Sequence, residues 1–184
     1  MTLNPRHLKK PPKSPLQKQL EEQKFLHGVA YVEQASGTIK KLSSSELMHL
    51  NEILTNKLPD NQVIPQELWR LEAVKIEIPG GEVTLNMLSN PLSRAREITG
   101  DALEMAGNQK VLEAACYLYS QLVLEHLFKD ANRRTAVLAT IWLLGNFGIE
   151  VNAHQLLAVP IGNLRVPQEM AEFQAQVAKL LSSN

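Results

Sequence analysis

Residues that could carry out chemistry together are concentrated at positions 126–136, where the sequence reads HLFKDANRRTA. A histidine, an aspartate, an asparagine and two arginines lie within nine residues, although apolar segments flank the stretch on both sides. Charged side chains are costly to bury without partners, so a polar cluster between two apolar segments indicates a specific role. The stretch predicts a site at the end of one buried helix and the start of the next.

A helix N-terminus offers the chemistry of an anion site. Its unpaired N–H groups and partial positive charge favour a negatively charged ligand. Arg133 and Arg134 add two guanidinium groups beside the predicted helix start, and guanidinium forks bind phosphate well. The loop therefore predicts a local phosphate site.

Two further residues suit that site. A carboxylate beside a polyphosphate commonly holds Mg²⁺, so Asp130 is a candidate metal ligand. His126 lies one turn before the loop on an apolar stripe and is a candidate general base. Plainer interpretations stay open: a hydrogen-bonded core histidine, a helix cap at Asp130 or Asn132, and surface arginines.

Composition limits the class of protein. The 184 residues, 44% hydrophobic and 21% charged, suit one soluble domain, with or without a tail. Lys+Arg and Asp+Glu are equal at 19 each, so no overall charge favours nucleic acid or an anionic membrane. Cys116 is the single cysteine, which excludes an internal disulfide and fits a reducing compartment. We expect a soluble, cytoplasmic protein without a membrane partner, and the balanced charge disfavours nucleic acid as a partner.

The elements that must position the site are predicted to be mostly helical. Residues 1–24 are rich in proline and lysine and predict a flexible basic tail before a domain over residues 25–184. Hydrophobic spacing predicts a helix from Leu42 to about Lys57, and helices almost to the end of the chain after Pro91. The later predicted helices are Ser93–Ala106, Lys110 to about Phe128, Asn132–Phe147, Asn152–Leu157 and one opened by Pro167.

One β-hairpin interrupts these helices at residues 73–85, AVKIEIPGGEVTL. Apolar residues alternate with other residues on both sides of a Pro-Gly-Gly turn, a pattern typical of two strands joined by a turn. The apolar and turn positions of this hairpin are Val74, Ile76, Ile78, Gly80, Gly81 and Val83. The predicted fold is an all-α domain with one small hairpin.

The stretch at 126–136 also resembles the signature of the Fic/Doc family, HPFx(D/E)GNGRxxR. It is most similar to the Doc branch, for which HxFxDAN(K/R)RTA is typical. The residues that match at every spacing are His126, Phe128, Asp130, Asn132 and Arg134. The flanking helices and the upstream hairpin match the family's layout too, so the resemblance covers residue 42 to about residue 160 and implies a Fic/Doc-like helical bundle with a hairpin flap.

The resemblance implies a transferase that moves a phosphate-containing group from ATP, with Mg²⁺, to a hydroxyl of a target protein. It implies that His126 is the base, Asp130 the Mg²⁺ ligand and Phe128 the buried anchor of the loop. The implied phosphate-binding set is Ala131, Asn132, Arg133 and Arg134. The hairpin resembles the flap that aligns the target's backbone by strand addition.

Departures from the family pattern bear on the reaction. Leu127 replaces a proline and Ala131 a glycine, both of which occur in Doc-like sequences. Arg133 stands where nucleotide-transferring members have glycine, and Val137 stands where they have a second arginine that holds the β- and γ-phosphates. Without that arginine the triphosphate is better held the other way round, so phosphorylation is favoured over AMP transfer (adenylylation).

Regulation and alternative functions follow from the same comparison. The chain lacks the (S/T)xxxE(G/N) motif of the family's inhibitory helix, so a separate antitoxin-like partner is the expected inhibitor. Two other functions stay open: a catalytically inactive Fic-fold module that binds nucleotide or a partner, and a nucleic-acid-binding helical protein.

Overall fold

The computed structural model describes residues 6–7, 13–36, 42–55, 68–78 and 81–182. These ranges contain seven helices and one small sheet, so the expected helical fold with a hairpin is confirmed. The strands are β1 (Arg6–His7), β2 (Val74–Ile78) and β3 (Gly81–Leu85). The helices are α1 (Pro15–Ala35), α2 (Ser44–Thr55), α3 (Pro91–Gly107), α4 (Val111–Glu125), α5 (Asn132–Gly145), α6 (Ala153–Ala158) and α7 (Pro167–Ser182).

Helix α5 is the centre of the bundle. Every residue from 135 to 144 is buried, as expected for a helix that is apolar on all sides. Helices α1, α2, α4 and α6 pack around it, and the polar stretch occupies its N-terminal end. No helix within the described ranges is long and apolar enough to cross a membrane.

Helix α1 corrects the predicted flexible tail, because residues 15–24 form its first half. The side chain of Ser14 accepts a hydrogen bond from the N–H of Gln17, whose own side chain accepts one from the N–H of Ser14. This capping box starts the helix. Spaced apolar residues bury it against α5, where Gly28 allows Leu138 to approach closely. The remaining residues of the predicted tail, except 6–7, 13 and 14, lie outside the described residues.

Helix α4 ends three residues earlier than predicted. Its last residue is Glu125, and His126 takes a left-handed conformation with φ 52° and ψ 53°. The chain must reverse there to reach the start of α5, which a continued helix could not allow. The candidate base therefore sits on the turn and not on the helical stripe.

The hairpin forms as predicted, with β2 and β3 antiparallel and Ile78 opposite Gly81. The turn residues between the strands, including Gly80, lie outside the described residues. Strand β1 pairs in parallel with the first two residues of β2. Strand β3 therefore forms the opposite edge of the sheet.

Candidate functional site

The loop between α4 and α5 is clamped to the core by residues 68–70. The N–H of Arg70 donates to the carbonyl of Leu127 at 2.8 Å, and a second backbone bond runs from the loop to the segment. Beside these bonds the rings of Trp69 and Phe128 stack with their centroids 4.7 Å apart. Phe128 is buried, so the loop cannot shift without disturbing the core.

Asn132 closes the loop from inside. Its side-chain oxygen accepts from the N–H of Phe128 at 2.8 Å, and its side-chain nitrogen donates to the carbonyl of Phe128 at 2.8 Å. The side chain is buried. The direction of the loop's N–H groups therefore depends on Asn132.

Asn51 of α2 supports the loop from outside, and sequence reasoning missed it. Its side-chain nitrogen donates to the carbonyl of Asp130 at 2.9 Å and to the hydroxyl of Thr135 at 3.0 Å. Asn51 is buried in a helix whose other buried positions are largely apolar. A polar residue among the apolar positions of α2 could have indicated a buried hydrogen bond. The spacing of residues along the helix could not identify its partner.

Asp130 and Ala131 form the start of α5. Ala131 is left-handed at φ 58°, and its N–H donates to the carboxylate of Asp130 at 2.8 Å. Asp130 is exposed. Within the described residues no group of three or more His, Cys, Asp or Glu side chains could hold a metal ion. A single exposed carboxylate still fits Mg²⁺, which takes its other ligands from phosphate oxygens and water.

The ring of His126 has a defined tautomer. Nδ1 lies 3.2 Å from the carbonyl oxygen of Val123. A carbonyl oxygen can only accept a hydrogen bond, so Nδ1 carries the proton and Nε2 is unprotonated in the neutral ring. The ring therefore has one nitrogen that can take a proton.

Burial lowers the pKa of His126, and the bond to Val123 opposes this effect. The positive charges of Arg70 and Arg165 lower the pKa further, while the charge of Asp130 raises it. The shift keeps the ring neutral at pH 7, because its ordinary pKa is already about 6.5. The neutral ring is the form that a general base requires.

The two arginines of the stretch contact different parts of the fold. Arg133 lies 3.4 Å from the hydroxyl of Tyr119 and donates to the carbonyl of Val159. Nη1 of Arg134 is 3.5 Å from the carboxylate of Glu21 on α1. This Nη1 is buried, and its contact with Glu21 is an ion pair without a hydrogen bond to any group of the described residues. An anion could therefore bind Nη1 only in competition with Glu21.

A pocket of about 270 Å³ brings the flap and the candidate base together. Its apolar lining includes Ile76 and Val83 of the flap. Its polar lining is His126, Arg133, Asn163 and Arg165. Residues 161–165, which sequence reasoning did not include, thus line the same pocket as the flap and the candidate base. Asp130, Asn132 and Arg134 are not among the residues that line this pocket.

Solved structures with a similar fold include Fic proteins. One is a Fic domain containing signaling protein from Bacteroides thetaiotaomicron, with TM-score 0.64, 17% identity and coverage of 94% of this chain and 72% of that one. Another is IbpAFic2 covalently tethered to Cdc42, with TM-score 0.63, 16% identity and coverage of 90% and 56%. A third is IbpAFic2 in complex with adenylylated Cdc42, with TM-score 0.60, 15% identity and coverage of 91% and 58%.

These TM-scores show a shared fold, and identities of 15–17% show no more than that. The chain spans little more than half of the two IbpAFic2 chains. A sequence search of curated proteins gives no match. The profile of the Fic/DOC family, however, matches residues 41–144, more than half of the 184 residues, including the flap and the loop with the candidate base. The chain therefore belongs to the Fic/DOC family.

Proposed function

We propose that this chain transfers a phosphate-containing group from ATP to a hydroxyl of a target protein, and that the group is the γ-phosphoryl, as in the Doc branch. His126 carries the proposal. Its half-buried ring has Nδ1 held by the carbonyl of Val123 and lines the pocket beside the flap. Transfer to a hydroxyl of a target protein needs a base of this kind beside the flap that would bind the target.

The proposed reaction begins with proton removal. Nε2 of His126 takes the proton of the target hydroxyl while the hydroxyl oxygen bonds to phosphorus. The bond from phosphorus to the leaving oxygen breaks, which releases ADP after phosphoryl transfer or pyrophosphate after AMP transfer. A positioned base of this type contributes about 10²- to 10⁴-fold in rate.

The phosphates would be bound at the start of α5. The proposed donors are the backbone N–H groups of the first turn of α5, which follows the loop that Asn132 shapes, and the buried Nη1 of Arg134, for which an anion would compete with Glu21. Asp130 would hold Mg²⁺ through its exposed carboxylate. Bound Mg²⁺ supplies positive charge that offsets the charge of the phosphates.

Phosphoryl transfer is favoured by the residues at 133 and 137. Val137 is fully buried and cannot hold a phosphate. Arg133 lines the pocket beside His126, so it can contact one end of a triphosphate if it leaves the carbonyl of Val159. AMP transfer is the second candidate, because a similar structure contains IbpAFic2 with adenylylated Cdc42.

Target docking is proposed for the flap. Ile76 and Val83 line the pocket next to the base, and β3 is an edge at which a target strand could add, because β1 pairs along part of β2. A separate antitoxin-like inhibitor and a cytoplasmic location are part of the same proposal. Cell fractionation and co-purification would test them.

The deciding experiment follows the label of ATP. The protein is incubated with cell lysate, Mg²⁺ and ATP labelled at the α- or the γ-phosphate, with His126→Ala as the control. Label from the γ-phosphate alone, lost in the control, would support phosphoryl transfer. Label from the α-phosphate would support AMP transfer instead. Binding of ATP with no transfer of either label would favour the inactive module.

A further inference from the structure

Arg70 is a buried charge that the proposed reaction does not use. It is 4% exposed, and its guanidinium donates to four main-chain carbonyls. Two of these belong to the end of α4: Nε donates to His126 at 2.7 Å and Nη2 to Glu125 at 3.1 Å. The other two flank the flap: Nη1 donates to Glu72 at 2.9 Å and to Asn86 at 2.7 Å.

The first pair of bonds holds the turn that carries the base. The last carbonyls of a helix have no partner within the helix, and a cation is favoured beside them. His126 is left-handed at φ 52°, a conformation that a residue with a side chain keeps only when its surroundings impose it. The bonds from Arg70 to Glu125 and His126 supply that constraint.

The second pair of bonds closes the base of the flap. Glu72 precedes β2 and Asn86 directly follows β3, so Nη1 holds the two ends of the hairpin at one point. The guanidinium is planar and donates in several fixed directions, which suits a joint between separate elements. An apolar residue in this place could pack but could not bond to either element.

We propose that Arg70 is a positioning residue that fixes the backbone of His126 and the flap relative to each other, so that a flap-bound hydroxyl comes within reach of the imidazole. This inference rests on the proposed function. The four hydrogen bonds to carbonyls offset the cost of burying the charge of Arg70.

The test compares Arg70→Met and Arg70→Lys with a matched control, Arg94→Met. Arg94 also binds at the end of α4, but through the side chains of Glu125, at 2.9 Å, and Gln121, at 3.2 Å. We expect kcat for target modification to fall at least about 10-fold in both Arg70 variants, since a misplacement of about 1 Å can cost about 10²-fold. The Kd for ATP should change less than about twofold, and Arg94→Met should keep its kcat.

The pH profile separates positioning from general destabilisation. Charged groups that act on His126 are Arg70, Asp130 and Arg165, and the carbonyl of Val123 bonds its ring. Loss of the Arg70 charge should move the acid limb of the rate profile to higher pH. Arg70→Lys keeps the charge, so the acid limb should stay at the same pH. Its kcat should still fall, because one ammonium group cannot donate to all four carbonyls.

Wild-type kcat and an unchanged acid limb in Arg70→Met would overturn the proposal, as would equal losses in Arg70→Met and Arg94→Met. If Arg70→Met does not fold, wild-type kcat in Arg70→Lys overturns it and a loss supports it. Two measurements need no turnover: NMR titration of the His126 ring and hydrogen exchange of the flap amides. In Arg70→Met, a raised pKa of His126 and faster hydrogen exchange of the flap amides would support the proposal even if no transfer is found. If neither quantity changes, the proposal is refuted.

Discussion

The substitution Asn132→Ala should destabilise the fold through the loop. It removes two hydrogen bonds of 2.8 Å, one to the N–H and one to the carbonyl of Phe128, which is only 2% exposed. An unsatisfied buried polar group costs about 1–3 kcal/mol. Two such groups, partly rescued by relaxation, give a loss of about 2–4 kcal/mol. For a chain of this length the melting temperature should fall by roughly 4–16 °C.

Thermal unfolding and ATP binding by calorimetry measure both consequences. The matched control is Asn152→Ala, because Asn152 also makes two hydrogen bonds with the backbone, accepting from His154 and Gln155 at 3.0 Å, but at an exposed helix cap. The control should cost about 1 kcal/mol and keep ATP affinity, whereas Asn132→Ala should weaken it. A loss below about 1 kcal/mol, with unchanged ATP binding, would refute the role of Asn132 in shaping the loop.

Three other perturbations separate docking, phosphate binding and metal binding. Ile76→Pro removes a backbone N–H from β2 and kinks the strand, so target modification should fall while ATP affinity stays unchanged. Equal losses of target modification and ATP affinity would mean that the hairpin is part of the core and does not dock the target. Glu21→Gln removes the carboxylate 3.5 Å from Arg134 and should tighten ATP binding severalfold, and unchanged affinity would remove Arg134 from the phosphate site. Asp130→Asn should raise the Mg²⁺ concentration for half-maximal transfer, a conclusion that an unchanged metal titration would contradict.

The helices and the hairpin could be predicted because their patterns are local. Periodic apolar residues and turn signals located α2 to α7 and the flap to within a few residues. The first half of helix α1 was taken for a tail because prolines and lysines are frequent in the first 24 residues, and its second half, residues 25–35, was assigned to no helix. The capping box of Ser14 and Gln17 was a local signal that lay inside this polar segment.

The candidate site was only partly predictable. The stretch at 126–136 identified the base and the loop, but the side chains that shape them come from distant parts of the chain. Asn51 lies 79 residues before Asp130, and Arg70 lies 56 residues before His126. Spacing along a helix cannot reveal such pairs, because only the packing of α2 and the flap segment onto the loop creates them.

Acid should both slow transfer and destabilise the fold through His126. Burial lowers the pKa of the ring in the folded state, whereas its value in the unfolded chain is about 6.5. As pH falls, the unfolded chain therefore binds the proton first. The stability that the neutral ring contributes is complete above about pH 6.5 and is lost as pH falls through the folded pKa.

The transfer rate should decline in the same window, because a protonated ring cannot accept the target's proton. His126→Gln should remove this part of the pH dependence of stability. The matched control is His154→Gln, since His154 is exposed and contacts Glu22 at the surface at 2.7 Å. Unfolding by urea at several values between about pH 5 and pH 7 measures the effect. If His126→Gln and wild type lose stability in parallel over that range, the ring does not titrate as its burial requires, and its assignment as a neutral base fails.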